Sequence, residues 1–449
     1  MPPCHSERSE ESLDNMNWTL FKDILSIDST SGKERELALW LHDHLEAPSK
    51  QLMEVGDGTL NLFLQWGTPR VVFCTHMDTV PPYLAPVFPE GIPFRGTPFA
   101  SLTPAPPTFE VGSAPLLSPC GSRPISPQDK PSDPASAVRS DERIDALQAS
   151  SEHKNCHSER SEESQAITGR GSCDAKGQLF AMYTACKQLD AEGRTDFGLL
   201  LLAGEETGSW GAKAFSKTGF TAPFLIVGEP TDNKMVSAAK GTLSYDLKFV
   251  GKECHSGYPQ WGRSAVDLFN EFYNALKAVD WGTDPELGET TWNIGLLRSD
   301  NPQNILSGEL TCRLYFRTTF LSHDAVKKWM QPYLDNSKSV GLSAAQQSGR
   351  PEAAGDNRGQ SPLGQICASV HAMGDTPSRY VTLPGFESAP VAFGSDAPHL
   401  TGFGHKIICG PGSIKVAHRP EEYIEVKDLE RAVEQYVKMY RFLQNVDNE

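Results

Sequence analysis

Short apolar runs alternate along the chain with longer segments in which apolar residues recur every three or four positions. The helical segments are 34–47, 178–189 and 426–444, and the short apolar runs are 70–74, 198–202, 224–227 and 406–409. Runs of this length are typical of strands buried on both faces. Strands separated by helices predict a parallel sheet that is covered on both sides.

The pattern changes after about residue 236. Polar and apolar residues alternate at 242–250, 292–297 and 309–318, whereas 265–279 and 322–334 have helical spacing. Alternation predicts strands with one buried and one exposed face. We therefore predict an α/β fold with a mixed, mostly parallel sheet and helices on both faces. We also predict that a small α+β domain is inserted into it.

Two further features interrupt the pattern. The nonapeptide CHSERSEES occurs at 4–12 and again at 156–164. It is too short and polar to be a structural repeat, so we interpret it as a translated mobile DNA element and expect Met16 to be the true start. Thirteen of the 33 prolines lie between residues 86 and 134. Such a composition buries too little apolar surface to offset its ordering entropy, which predicts a partly disordered insertion; a long functional loop is the alternative.

These patterns divide the chain into domains. We predict an extra N-terminal segment at 1–15, a main domain at 16–235 and 347–449 with an irregular insertion at about 86–166, and a small inserted domain at 236–346.

Composition argues against several classes of partner. The chain has 449 residues and a net charge of −16, whereas nucleic acids and anionic membranes are bound by clustered Lys and Arg. The longest apolar run, 197–203, is too short to span a bilayer, and the first 25 residues contain no apolar stretch of signal-peptide type. We therefore expect a cytoplasmic protein.

The ten cysteines include no CxxC pair, and we interpret them as mostly reduced core thiols.

Acidic and histidine side chains follow the buried strands. His76 and Asp78 are two residues apart and leave the same face, so His76 can bind a metal while Asp78 accepts from its other ring nitrogen. Glu205 and Glu206 follow four leucines, and their like charges repel unless a cation lies beside them. Glu229 ends the next strand. A chance HxD pair and two solvated glutamates at the start of a loop are the alternatives.

Two more candidates lie in loops. Asp174 is in the glycine-rich turn GRGSCDAKGQ, where a carboxylate at the sheet edge can bridge two cations. A helix N-cap for the helix that starts near Gly177 is the alternative. His418 lies in the loop sequence KVAHRPEEY and, taken alone, would more often be an ordinary loop histidine.

In their order along the chain and in their residues, these five motifs resemble those of the dinuclear-zinc amidohydrolase and exopeptidase family. That family includes acetylornithine deacetylase, succinyl-diaminopimelate desuccinylase, aminoacylase and the glutamate carboxypeptidases. The resemblance covers residues 17–449 apart from the insertion. It implies a zinc-exopeptidase-like fold and two divalent metal ions, most often zinc, with cobalt and manganese as alternatives. The implied roles are His76 and Glu229 on one ion, Glu206 and His418 on the other, Asp174 bridging, Glu205 as general base and Asp78 as the partner of His76.

The resemblance also implies that the main domain is catalytic and that the inserted domain at 236–346 is a ferredoxin-like lid and dimerisation domain. This predicted lid carries a further motif of the family, HSGYP, which implies oxyanion stabilisation by His255. Asn304 and Arg317 match lid positions that contact substrate or structure the lid, and a homodimer through the lid is implied. The bridging aspartate lies 174 − 76 = 98 residues after His76, more than is usual in the family, and the insertion accounts for the excess. Since loop closure costs grow slowly with length, deleting 88–166 is expected to leave metal binding intact.

The resemblance implies hydrolysis of a small N-acyl amino acid, because the motif sequences are most similar to those of acetylornithine deacetylase. A dipeptidase or carboxypeptidase of the same family is the first alternative, because metal motifs do not define the substrate pocket. An inactive binding relative is the second alternative. The intact Glu205 and ligands argue against it, because buried carboxylates are costly to retain without a function.

Overall fold

The structure, a computed structural model, describes residues 16–56, 58–94, 165–334, 364–372 and 374–446. The helices are α1 (Trp18–Ser26), α2 (Glu34–His44), α3 (Lys176–Ala191), α4 (Trp210–Ser216), α5 (Ala265–Lys277), α6 (His323–Leu334) and α7 (Val426–Gln444). The strands are β1 (Ser49–Gly56), β2 (Thr59–Gly67), β3 (Val71–His76), β4 (Ala166–Thr168), β5 (Asp196–Leu202), β6 (Ala222–Val227), β7 (Met235–Ala239), β8 (Gly241–Val250), β9 (Thr283–Asp284), β10 (Gly288–Glu289), β11 (Thr291–Arg298), β12 (Glu309–Thr318), β13 (Gln365–Ala372), β14 (Ser378–Arg379), β15 (Ser388–Val391), β16 (Phe403–Ile408) and β17 (Tyr423–Glu425).

The largest sheet of the described residues has six strands in the order β1-β2-β5-β3-β6-β16. The pairs β5-β3, β3-β6 and β6-β16 are parallel, whereas β1-β2 and β2-β5 are antiparallel. The prediction of a mixed, mostly parallel sheet is confirmed. All six residues of β3 are buried, as expected for a strand between two layers of helices.

The two faces of this sheet belong to two separate apolar cores. Val71 and Phe73 of β3 pack into a core that also contains buried residues of α1, α2, α3 and α7. Val72 and Cys74 point to the other face, where Ala212 of α4 is part of the core. Successive strand residues alternate between the two faces, so one apolar strand serves both cores. The fully buried strand run in the sequence is explained by this double coverage.

A second sheet is antiparallel and has the order β11-β12-β8-β13. Buried residues of α5 and α6 pack with alternate residues of these strands in a third core. β13 pairs with β8, so this small sheet extends beyond residue 346, where the sequence analysis ended the lid domain. The 29 residues from 335 to 363 that precede β13 lie outside the described part of the chain.

The predicted insertion begins in packed structure. Phe88 and Ile92 contact the main core, and Val87 and Thr168 exchange two backbone hydrogen bonds of 3.0 Å. The chain that enters the insertion therefore lies beside the chain that leaves it. Residues 95–164 and 1–15 are outside the described residues. Among the described helices, none combines the length and apolar character needed to cross a membrane.

Candidate metal centre

The predicted site residues meet at one edge of the six-stranded sheet. His76 is the last residue of β3, Glu205 and Glu206 follow the end of β5, and Glu229 follows β6 by two residues. β3 pairs in parallel with both β5 and β6, so the carboxyl ends of the three strands lie side by side. In open α/β sheets this edge is where ligands bind.

Asp174 is the centre of the cluster. Its Oδ1 lies 3.1 Å from Nε2 of His76, and its Oδ2 lies 3.3 Å from Nε2 of His418. The same His418 nitrogen is 2.9 Å from Oε1 of Glu206. His76, Asp174 and Glu206 each offer one ligand atom within 4.8 Å of the other two. The two carboxylate oxygens of Asp174 thus face two different histidines, as a bridging ligand would require.

The carboxylates shift the pKa values of both histidines upward. Burial disfavours the charged form of His76, but hydrogen bonds and the negative charges of Asp174 and Asp78 raise its pKa well above the usual value. Hydrogen bonds to Asp174 and Glu206 raise the pKa of His418 to about 10. The pKa of Asp174 is correspondingly depressed, against the effect of its burial. The cluster therefore attracts positive charge strongly.

Glu229 and Glu205 are two further carboxylates of the cluster whose charged forms are disfavoured. Burial raises the pKa of Glu229 well above its usual value, and the nearby Glu205 raises it further. Oε1 of Glu229 is buried and accepts no hydrogen bond from the described residues. Such an atom is costly unless it finds a partner. Imidazole and carboxylate donors suit divalent metal ions, so the residues present fit the two metals that the sequence motifs imply.

The helix-cap alternative for Asp174 is wrong. The N-cap residue of α3 is Ala175, and no side chain caps this helix. Instead, the backbone N–H groups of Cys173 and Asp174 donate to Oε1 of Glu422 at 3.0 and 3.1 Å. The other oxygen of Glu422 pairs with Arg170 at 2.5 Å, and both side chains are almost fully buried.

This ion pair fixes the turn that carries Asp174, and sequence reasoning missed both residues. The one signal available was an acidic residue four positions after His418.

Asp78 contacts both His76 and the turn after β5. Nδ1 of His76 lies 2.9 Å from the backbone carbonyl oxygen of Asp78 and 3.5 Å from its carboxylate. The carboxylate also accepts from two backbone N–H groups, with Glu205 at 2.9 Å and Glu206 at 3.1 Å. Asp78 is therefore the acceptor that fixes the turn after β5. The sequence analysis missed this because backbone donors leave no residue signature.

Asp396 is a further buried carboxylate near the cluster. Burial raises its pKa to about 6, and its negative charge raises the pKa of both Glu205 and Glu229. The hydroxyl of its neighbour Ser395 accepts from the N–H of Ala397 at 3.3 Å, so Ser395 caps this turn.

His255 lies between β8 and α5 and has local contacts. Its Nδ1 accepts from the N–H of Gly257 at 3.1 Å, and it forms a single β-bridge with Ile305. Asn304 is adjacent and accepts from the N–H of Ser256 through its backbone oxygen. The guanidinium of Arg317 lies over the ring of Tyr315. Among the described contacts, none joins these lid residues to the metal cluster, so their roles stay predictions.

Comparison with known protein families identifies the chain. The profile of peptidase family M20/M25/M40 matches residues 143–441, well over half of the sequence. The chain belongs to this family. The resemblance inferred from the motifs is thereby confirmed at the family level, and the protein is a member of a hydrolase family with metallopeptidases. The finer likeness to acetylornithine deacetylase stays a prediction.

M20 relatives align with much of the chain. A probable carboxypeptidase of Aspergillus clavatus is 27% identical over 450 residues, which cover 93% of this chain and 80% of the relative. A peptidase M20 domain-containing protein of Schizosaccharomyces pombe is 29% identical over 287 residues, or 62% of this chain and 64% of that protein. The alignment thus spans less than two thirds of the second relative.

Solved M20-like structures share the fold. A tripeptidase from Staphylococcus aureus superposes with a TM-score of 0.63 at 16% identity, covering 97% of this chain and 99% of the other. A metallo-carboxypeptidase of the M20 family from Sulfolobus solfataricus gives 0.57 at 16% identity, covering 96% and 99%. A dinuclear metal-binding M20 peptidase from Bacillus subtilis gives 0.53 at 9% identity, covering 98% and 100%. Identities this low show the fold and leave the substrate open.

Proposed function

We propose that this M20 protein hydrolyses an amide bond in a small substrate with the help of two divalent metal ions, and that both ions are zinc. The observation that carries the proposal is the continuous contact from His76 through Asp174 to His418 and Glu206. Glu229 adds a buried carboxylate oxygen that has no hydrogen bond within the described residues. Mixed imidazole and carboxylate donors at the carboxyl edge of a parallel sheet match a hydrolytic metal site.

The residues divide into ligands and a base. His76 and Glu229 would hold one ion, Glu206 and His418 the other, and Asp174 both. When bound, the ions lower the pKa of a water molecule and polarise the scissile carbonyl. Glu205 is placed beside this set by its backbone bond to Asp78. Burial raises the pKa of Glu205, which suits a group that accepts a proton from water and passes it to the leaving amine.

The lid would complete the site. His255 is exposed, and its imidazole is available to stabilise negative charge on the carbonyl oxygen. We propose that it does so from the partner subunit of a homodimer formed through the lid. Its exposure and its position on the small antiparallel domain support this role.

Two substrate classes remain in this proposal. The residues of the motifs favour a small N-acyl amino acid. A short peptide is favoured by the Aspergillus clavatus relative, which is named a probable carboxypeptidase. Both substrates present a free carboxylate and an amide one residue away from it. We therefore propose a deacylase or carboxypeptidase acting on one such terminal amide.

The test is amide hydrolysis by the metal-loaded protein across N-acetylornithine, other N-acetyl amino acids, N-succinyl-diaminopimelate, dipeptides and N-blocked dipeptides. Glu205→Ala is expected to abolish turnover while about two metals per chain stay bound by elemental analysis. Glu421→Ala removes an exposed glutamate and should leave turnover unchanged. Turnover that persists in Glu205→Ala, or a wild-type protein that binds no metal, contradicts the proposal.

A further inference from the structure

A short segment before α2 contacts the chain that carries Asp78. Residues 29–31, here called the serine strap, run beside residues 77–79, the continuation of β3. The N–H of Ser31 donates to the carbonyl of Thr79 at 3.0 Å, and the N–H of Thr79 donates to the carbonyl of Ser29 at 3.1 Å. The strap is therefore attached by backbone hydrogen bonds to the chain that carries Asp78.

The two serines of the strap make different side-chain contacts. The hydroxyl of Ser29 donates to the backbone carbonyl of Met77 at 2.7 Å. The hydroxyl of Ser31 donates to Oδ2 of Asp78 at 3.0 Å. Only the second bond reaches a side chain of the site, and its acceptor is a carboxylate that is fully buried. Hydrogen bonds to charged groups are among the stronger ones in proteins.

The Asp78 carboxylate in turn holds two functional groups in place. Oδ2, the oxygen bonded by Ser31, also accepts from the N–H of Glu206, and Oδ1 accepts from the N–H of Glu205. A rotation of this carboxylate would disturb the backbone of both Glu205 and Glu206, because each carboxylate oxygen accepts one of their N–H groups. The orientation of Asp78 is thus linked to the proposed base and to a proposed metal ligand.

We propose that Ser31 is a positioning residue for the metal centre, acting through the orientation of the Asp78 carboxylate on the backbone of Glu205 and Glu206. This inference rests on the proposed function. Without the hydroxyl, the Asp78 carboxylate keeps its two backbone donors but loses one of the three hydrogen bonds that hold its orientation. Residues that support metal ligands in this way typically change metal affinity or activity by about 10-fold to 100-fold when mutated.

The experiment compares Ser31→Ala with Ser29→Ala in the full-length protein. Zn²⁺ affinity is measured by competition with a chromophoric chelator, and kcat and KM are measured with the best substrate of the panel. We expect Ser31→Ala to weaken binding of at least one ion by about 10-fold and to lower kcat with little change in KM. Ser29→Ala removes a buried hydroxyl bond of the same strap and should lower thermal stability without changing Zn²⁺ affinity.

Two conservative variants keep the test independent of folding. Ser31→Thr retains a hydroxyl and should restore wild-type Zn²⁺ affinity. Ser31→Cys keeps the side chain similar in size but donates weakly, so it should reproduce the defect of Ser31→Ala. Equal Zn²⁺ affinity and kcat in wild type, Ser31→Ala and Ser31→Cys would overturn the role of Ser31 alone. Absence of Zn²⁺ binding in the wild type would overturn the proposed function as well.

Discussion

Replacing Arg170 with methionine is predicted to destabilise the protein strongly. The guanidinium pairs with Glu422 at 2.5 Å, and the two side chains are only 2% and 0% exposed. Removing one partner of a buried ion pair leaves an uncompensated charge, which typically costs about 3–5 kcal/mol of unfolding free energy. The loss is expected to be accompanied by weaker metal binding, because Glu422 also accepts the N–H groups of Cys173 and Asp174.

The cost should depend on pH in a defined direction. Burial and the charge of Asp174 already raise the pKa of Glu422, while backbone hydrogen bonds and Arg170 lower it. Without Arg170, the pKa of Glu422 in the folded state rises further above its unfolded value. The folded state then binds a proton that the unfolded state releases, so the stability of the variant falls as pH rises through the folded pKa. Urea unfolding followed by circular dichroism at pH 5.5 and pH 8 measures this difference.

A matched surface pair provides the control. Arg298 and Asp300 are in contact at 2.7 Å, but their side chains are 74% and 71% exposed. Arg298→Met should therefore cost less than about 1 kcal/mol. If Arg170→Met and Arg298→Met lose the same unfolding free energy at pH 8, burial of the pair is not what makes it important, and the reasoning fails.

Three further predictions concern protons and the insertion. The pKa of His418 is raised to about 10, so metal binding at pH 8 should release protons. Calorimetry in buffers of different ionisation enthalpy measures this release, since the observed binding enthalpy then depends on the buffer. A binding enthalpy that is the same in all buffers would mean that His418 was already neutral. Burial lowers the pKa of Lys176 from 10.5 to about 7. Between these pH values the unfolded chain binds a proton that the folded protein does not, so the unfolding free energy should rise with pH. Lys176→Met should abolish this rise in urea titrations. Replacing 95–164 with a short Gly-Ser linker should preserve zinc stoichiometry, because Val87 and Thr168 already hold the flanking chain together; a folded deletion variant without zinc would contradict this.

Local sequence patterns were sufficient to predict many of the elements and to select the candidate metal ligands. The predicted strand at 309–318 and helix at 426–444 have the observed bounds, because their apolar residues repeat with the period of the element and face one core. The candidate ligands were found for a related reason. Carboxylates that directly follow a buried apolar strand are unusual enough to mark a charged site.

The lid was predicted less completely. β13 (365–372) is the fourth strand of the small sheet, and its second half is exposed, so its pattern of apolar residues is weak. Its place in the sheet depends on pairing with β8, which lies more than 100 residues earlier in the chain. Pairing between distant strands is not encoded in the period of either one.

Only the tertiary structure decided how the site is held. Ser31 meets Asp78 across 47 residues, and Arg170 meets Glu422 across 252. The Asp78 carboxylate binds backbone N–H groups that every non-proline residue possesses. By itself, the sequence determined which residues could bind metal and at which strand ends they lie, since both follow from local composition. The partners that orient those residues depend on which distant segments pack together, and local composition does not specify that.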